Sequence, residues 1–183
     1  PRAALLKSLL RSPDARMRAY ATRTLSTWAR AGLLPDALAL LEAQIIDADA
    51  LVRLEAIVAA SYVPEARAAL VAARALDQPF NAYHHHALTK TLHATNPLWA
   101  RALVAGNFAF EQDEHLIFAL KNSWVENNPD DFKSLSGGAV VYAPKAGSTQ
   151  ITAIMRDQVE RHAGDGPRQA RWLRTLAASA RPE

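Results

Sequence analysis

With 183 residues, half of them hydrophobic, the chain is long enough to bury a core and too apolar to be disordered by default. The absence of cysteine excludes disulfides, thiolate metal sites and thiol catalysis, and no apolar run reaches the length of about 18 residues that a membrane-spanning helix needs. The net charge of +3 is too small to predict the strongly basic surface of a typical nucleic-acid-binding protein.

The first two thirds of the sequence predict helices. Alanine and leucine dominate there, and most of the seven glycines fall between Gly137 and Gly166. The opening segment, PRAALLKSLLRSPDARMRAYA, lacks the uninterrupted apolar stretch of a signal peptide. Because the chain opens inside an amphipathic pattern without an initiator methionine, we expect it to be a piece of a longer protein.

An internal repeat organises this helical part. The segments DARMRAYATRTL and DALVRLEAIVAA align with an offset of 35 residues, which pairs Asp14 with Asp49 and Arg18 with Arg53. One small residue marks each successive unit: Ala21, Ala56, Ala87 and Ala119. A period in the thirties with two helical stretches per unit predicts an all-α superhelix, or α-solenoid.

Each position of the repeat has a physical role. The Asp lies in the turn before the second helix of its unit, where its carboxylate can cap free N–H groups. The Arg, four residues later, can reach a neighbouring turn or the Asp of the next unit. We therefore interpret Asp14, Arg18, Asp49 and Arg53 as a structural ladder between repeats, with catalysis the less favoured alternative.

Four short motifs follow one another in the middle of the chain. They are the VRLEA helix, the ALDQP turn at Ala75–Pro79, the Pro-Leu-Trp at Pro97–Trp99 and the ALVAGNFAF segment at Ala102–Phe110. In their order and spacing they resemble the HEAT-repeat region of a group of large bacterial proteins, common in planctomycetes and verrucomicrobia. Those proteins combine a sugar-dehydrogenase-like β-propeller, a HEAT array and a c-type haem domain.

The resemblance implies a function and a location. It implies a non-catalytic scaffold or protein-interaction module within a larger periplasmic dehydrogenase/cytochrome-type protein, and the residues alone leave a cytoplasmic location open. The family attaches haem through C-x-x-C-H, and this chain has no cysteine, so we expect no covalent haem and no other cofactor here. The partner would be another protein or neighbouring domains of the same polypeptide, bound along the ridge of second helices.

The pattern changes after about residue 126. We predict HEAT-like repeats over 1–126, a loop or small β-hairpin insertion over 127–150 with its glycine-rich part near 134–150, and a helical pair over 151–183 that caps the array. Helices are expected to resume at Thr149–His162 and to end with the segment RQARWLRTLAASA. Pro167 suits the first turn of that last helix.

Four histidines form the most conspicuous cluster of metal-ligand residues: His84, His85, His86 and His93. His84 occupies the repeat position of Arg18 and Arg53, which predicts a hydrogen-bonding structural role. His86 and His93 lie two helical turns apart, whereas helical metal pairs prefer i,i+4 spacing. We interpret the histidines as surface or packed residues, and adventitious or functional metal binding stays open as the alternative.

The tryptophans and the distribution of basic residues lead to two further predictions. Four tryptophans at or near predicted helix ends are expected to fill the junctions between helical layers: Trp28, Trp99, Trp124 and Trp172. A nucleic-acid-binding protein of the DNA-glycosylase type remains a contrasting hypothesis, which the lack of a dense Lys/Arg row on the second helices disfavours.

Overall fold

The computed structural model describes residues 2–122 and 149–179, and it confirms the all-α class: within those ranges the secondary structure is helical, without a β-strand. The helices are α1 (Arg2–Leu9), α2 (Ala15–Arg30), α3 (Ala37–Gln44), α4 (Ala50–Ala60), α5 (Arg67–Ala73), α6 (Ala82–Val104), α7 (Asp113–Asn122), α8 (Thr149–Arg161) and α9 (Gly166–Ser179). The insertion predicted over 127–150 lies outside the described residues up to position 148, as does Trp124.

Local sequence signals set the ends of these helices. Asp14 and Asp49 are the N-caps of α2 and α4, and their carboxylates accept hydrogen bonds from backbone N–H groups of the first turn. Gly32 and Gly106 follow α2 and α6 with φ angles of 68° and 74°. At both sites the N–H of the glycine and the N–H of the following residue bond back to carbonyls of the last turn, which is the Schellman arrangement that favours glycine.

The chain divides into two compact units, Pro1–Leu116 and Ile117–Glu183. In the first unit the second helices of the repeats form a row, with α4 packed between α2 and α6. The first helices α3 and α5 pack against each other and against α4. The small repeat residues Ala21, Ala56 and Ala87 are buried in the α2–α4–α6 row, where they allow close helix approach. Ala119, in α7, is also buried.

Helix α6 departs from a pattern of two short helices per unit, because it runs for 23 residues through Pro97. Proline lacks an N–H group and removes one hydrogen bond from the helix interior. Two buried side chains supply donors beside it: Thr95 Oγ1 donates to the Thr91 carbonyl, and Trp99 Nε1 donates to the Leu92 carbonyl at 2.8 Å. Both bonds lie in the turns that precede Pro97.

In the second unit α8 and α9 pack against each other. Ile151 and Met155 of α8 and Trp172 of α9 are buried, and Trp172 lies within α9 rather than at its end. Asp165 accepts a hydrogen bond from the N–H of Arg168 and caps the start of α9, which places Pro167 in its first turn as the sequence predicted. None of the helices in the described ranges combines the length and apolar character that crossing a bilayer requires.

Candidate functional site

Arg18 connects the turns that precede α2 and α4. Its Nη1 donates to the carbonyls of Ser12 and Pro13, at 2.9 and 3.2 Å. Its Nε and Nη2 donate to the two carboxylate oxygens of Asp47, at 2.7 and 2.8 Å. Arg18 thus contacts an aspartate of the next unit, and that aspartate is Asp47, two positions before the helix-capping Asp49.

Arg53 makes an equivalent set of contacts one unit later. Its Nη1 donates to the carbonyls of Asp47 and Ala48, at 2.6 and 2.9 Å, which lie six and five residues before it. Arg18 has the same two separations from its own carbonyl partners. The Nη2 of Arg53 donates at 2.8 Å to the carbonyl of Pro79, in the turn before α6. Both arginines therefore join the turn of their own unit to the turn of the next.

His84 stands at the third repeat position and makes hydrogen bonds of its own. The ring is buried, and its Nε2 lies 2.9 Å from the carbonyl of Ala50 at the start of α4. Because a carbonyl only accepts, Nε2 carries a proton, and Nδ1 lies 2.8 Å from Oδ1 of Asn81 and 3.4 Å from its backbone nitrogen. With both ring nitrogens engaged, His84 is a helix-capping and inter-helix residue in this structure.

The other three histidines of the candidate metal site do not form a metal-binding group with His84. His85 and His86 are exposed, and His93 is half-buried further along α6. Burial and the neighbouring charge of Lys90 lower the pKa of His93. Within residues 2–122 and 149–179, no three side chains of His, Asp or Glu come together as a metal-binding group.

His115, near the beginning of α7, pairs with an aspartate. It is buried in α7, and its Nε2 lies 3.0 Å from the carboxylate of Asp77. The same Asp77 oxygen accepts a hydrogen bond from Nε2 of Gln112 at 3.1 Å. This contact links the beginning of α7 to the 3₁₀ turn at Arg74–Asp77, so its role in the structure is to join two turns.

A shallow groove of about 180 Å³ lies between the second helices α2 and α4. Its lining residues are Arg16, Ala19, Tyr20, Arg23, Leu51 and Glu55. Tyr20 stands at the edge of the groove with 66% of its surface exposed, whereas Glu55 is buried. A large exposed aromatic ring beside a buried carboxylate is a combination that suits binding better than core packing.

Two contacts across this groove show how α2 and α4 are aligned. Arg23 forms a two-point ion pair with the Glu55 carboxylate, and the hydrogen bonds that Arg23 donates to this carboxylate raise the pKa of Arg23. Seven residues further along the chain in each case, the Arg30 guanidinium lies over the ring of Tyr62, in the turn after α4, 5.9 Å from its centroid. Both contacts join residues 32 apart, so α2 and α4 run parallel.

The arginines of this face were not predicted from the sequence. No dense Lys/Arg row was expected on the second helices, whereas α2 exposes Arg16, Arg23 and Arg30 at seven-residue intervals. The spacing itself was readable from the sequence, since seven residues correspond to almost two full helical turns. The pairing of Arg23 with Glu55 was not readable, because it depends on which helices are neighbours.

We expect Asn81→Ala to lower the free energy of unfolding by about 1 kcal/mol, because Asn81 caps α6. Its Oδ1 accepts hydrogen bonds from the N–H groups of Tyr83 and His84, at 3.0 and 3.1 Å. Urea denaturation followed by far-UV circular dichroism measures the loss. Asn107→Ala, at an exposed position outside the helices, is the matched control and should change stability by less than about 0.5 kcal/mol. Equal stabilities of the two variants would contradict the capping role.

No protein-family model, no curated protein and no solved structure matches the chain.

Proposed function

We propose that the chain is a non-catalytic, HEAT-like scaffold: an α-solenoid module that binds a protein partner or neighbouring domains of its own polypeptide. The observation that carries the proposal is the matched set of contacts that Arg18 and Arg53 make in successive units. Solenoid proteins stack their repeats through one interface used again and again, so equivalent inter-repeat contacts support this architecture. The parallel row of second helices, α2, α4 and α6, supports it as well.

The binding face in this proposal is the exposed side of the second helices. Solenoids use the surface formed by equivalent helices of successive repeats to bind partners. The groove between α2 and α4 and the exposed Tyr20 lie on that side. Tyrosine is enriched at protein interfaces because it combines a large apolar ring with a polar tip.

The wider setting follows from the sequence resemblance. We propose that this module belongs to a periplasmic dehydrogenase/cytochrome-type protein, in which it would hold a dehydrogenase and its electron acceptor together. The chain has no cysteine to tether haem, so the haem of such a protein would be attached elsewhere in the polypeptide. The module would then act through its surfaces rather than through redox groups.

The setting is tested by the intact mass of the native polypeptide from the cells that make it, with a denaturing gel stained for covalent haem. A haem-carrying band far above 20.0 kDa supports the dehydrogenase/cytochrome setting. A haem-free species near 20.0 kDa contradicts it and leaves a free-standing scaffold.

The interaction role is tested separately by photo-crosslinking in those cells. A benzophenone amino acid replaces Tyr20 on the second-helix face or, as the control, Ala43, which is exposed on α3. We expect a protein crosslink from position 20 and none of the same mass from position 43. If position 20 yields neither a crosslinked protein nor, by peptide mass spectrometry, a crosslink to another domain of the same polypeptide, the scaffold proposal is wrong.

A further inference from the structure

The face formed by α2 and α4 has two chemically different edges. On α2 the exposed edge carries Arg16, Arg23 and Arg30, and the helix contains no acidic residue. On α4 and in the turn directly after it, three large apolar side chains are exposed: Leu51 is 47%, Val58 38% and Tyr62 40% accessible. The seven-residue spacing puts Leu51 and Val58 on one face of α4. A basic row thus runs beside an apolar row.

Few acidic side chains neutralise the arginines of the basic row. Glu55 engages Nε and Nη2 of Arg23, and it is the one carboxylate among the residues that line the groove. Asp14 lies 3.6 Å from Arg16 across an exposed pair, which contributes little in water. Arg30 contacts a ring rather than an acid. The face therefore keeps a positive edge that an anionic partner would complement.

The spacing of the two rows specifies the shape of the partner. Arginines seven residues apart on a helix are separated by about 10.5 Å along its axis. Carboxylates placed every seventh residue on a second helix repeat at the same distance, and guanidinium groups bind carboxylates with two parallel hydrogen bonds. Apolar residues on the same side of that helix would meet Leu51 and Val58 across the groove.

We propose that the groove between α2 and α4 binds an acidic amphipathic helix of a protein partner, with its carboxylates on Arg16 and Arg30 and its apolar residues on Leu51 and Val58. This inference rests on the proposed scaffold function and names the chemistry of its partner. A protein segment fits better than nucleic acid, because the exposed apolar side chains of Leu51 and Val58 offer nothing to a phosphate backbone.

The test uses the full chain and a fluorescein-labelled helical peptide of 20 residues, with glutamate at every seventh position and leucines on the same face. Fluorescence anisotropy measures binding, with a second peptide that has glutamine in place of each glutamate. We expect the acidic peptide to bind at least tenfold more tightly than the glutamine peptide, and added salt to reduce the difference.

Two double variants test whether the acidic peptide binds to this face. The double variant Arg16→Glu/Arg30→Glu is expected to weaken binding of the acidic peptide at least tenfold. Arg11→Glu/Arg67→Glu makes the same charge change at exposed positions away from the groove and should leave the affinity within twofold. Far-UV circular dichroism of both variants verifies that they are folded.

The inference would be overturned if the acidic peptide failed to bind, or if it bound equally well to both double variants. If the peptide fails to bind while a 30-base-pair DNA duplex binds and loses affinity in Arg16→Glu/Arg30→Glu, the face recognises phosphate instead. A protein crosslinked through position 20 by a segment without acidic residues would sink this inference and leave the scaffold function standing.

Discussion

Replacing Trp99 with alanine is expected to lower the free energy of unfolding by about 3–5 kcal/mol. The Trp99 ring is fully buried in α6 and meets the edge of Phe110, with 5.5 Å between ring centroids. Its Nε1 also donates to the Leu92 carbonyl. The substitution therefore removes a large buried surface, leaves a cavity and takes away a donor beside Pro97, where α6 already lacks one.

Two further variants separate these effects in urea denaturation followed by far-UV circular dichroism. Trp99→Phe keeps most of the buried ring and loses the hydrogen bond, so a loss of about 1–2 kcal/mol is expected. Tyr83→Ala removes an aromatic ring from the same helix at a position that is 75% exposed, and should change stability by less than about 0.5 kcal/mol. A loss below about 1 kcal/mol for Trp99→Ala would contradict the packing described for α6.

Helix α6 also shows where local sequence rules fail. A proline inside a helical pattern normally predicts a boundary, because its ring and missing N–H disfavour the helix. In this chain the helix continues, and the buried side chains of Thr95 and Trp99 donate to backbone carbonyls around Pro97. Those donors are visible in the sequence as residue types, but their burial depends on the helices that surround α6.

The sequence was most informative where the physical cause is local. Asp14 and Asp49 were predicted to cap helices, and each accepts a hydrogen bond from an N–H group two residues later. A cap depends only on residues within one turn, so the pattern is sufficient. The partner of Arg18 depends on a contact across 29 residues. The repeat identified Asp49 as the aspartate of the next unit, whereas Arg18 pairs with Asp47, which only the folded arrangement shows.

The candidate binding face was the least predictable part. Repeat alignment compares equivalent positions one unit apart, whereas the ion pair of Arg23 with Glu55 joins two positions that are not equivalent in the repeat. The four histidines attracted the metal hypothesis because they are adjacent in sequence. On a helix, adjacent residues point in different directions, and His84 is buried while His85 and His86 are exposed. The adjacent histidines thus point in different directions, whereas Arg23 and Glu55 form an ion pair although they are 32 residues apart.

Removing the carboxylate of Asp47 is expected to cost about 3 kcal/mol at neutral pH, because it leaves the largely buried Arg18 guanidinium without its anion. Arg18 retains the carbonyls of Ser12 and Pro13, which places the cost at the low end for a broken buried pair. A double-mutant cycle with Arg18→Ala and Asp47→Ala measures the coupling between the two side chains. Additive losses in this cycle would show that the pair contributes nothing to stability.

The pH dependence gives a second, independent readout of Asp47. Burial acts to raise its pKa, but the hydrogen bonds from Arg18 and from the N–H of Asp49 outweigh burial and hold the pKa below its usual value. Ionised Asp47 therefore stabilises the fold fully above the unfolded-state pKa of about 3.9, and this stabilisation is lost as the pH falls through the lower, folded pKa. The stability difference between the natural chain and Asp47→Asn should be largest near pH 7 and shrink below about pH 4.

The matched control for Asp47→Asn is Asp36→Asn. Asp36 also pairs with a base 29 residues away, Lys7, and the hydrogen bond from Lys7 lowers its pKa. Its side chain is 40% exposed, however, against 11% for Asp47, so water screens the Lys7–Asp36 pair. We expect Asp36→Asn to change stability by at most about 1 kcal/mol at any pH. If the two variants lose stability equally, burial does not distinguish the pairs, and Asp47 does not have the structural role that its contacts with Arg18 indicate.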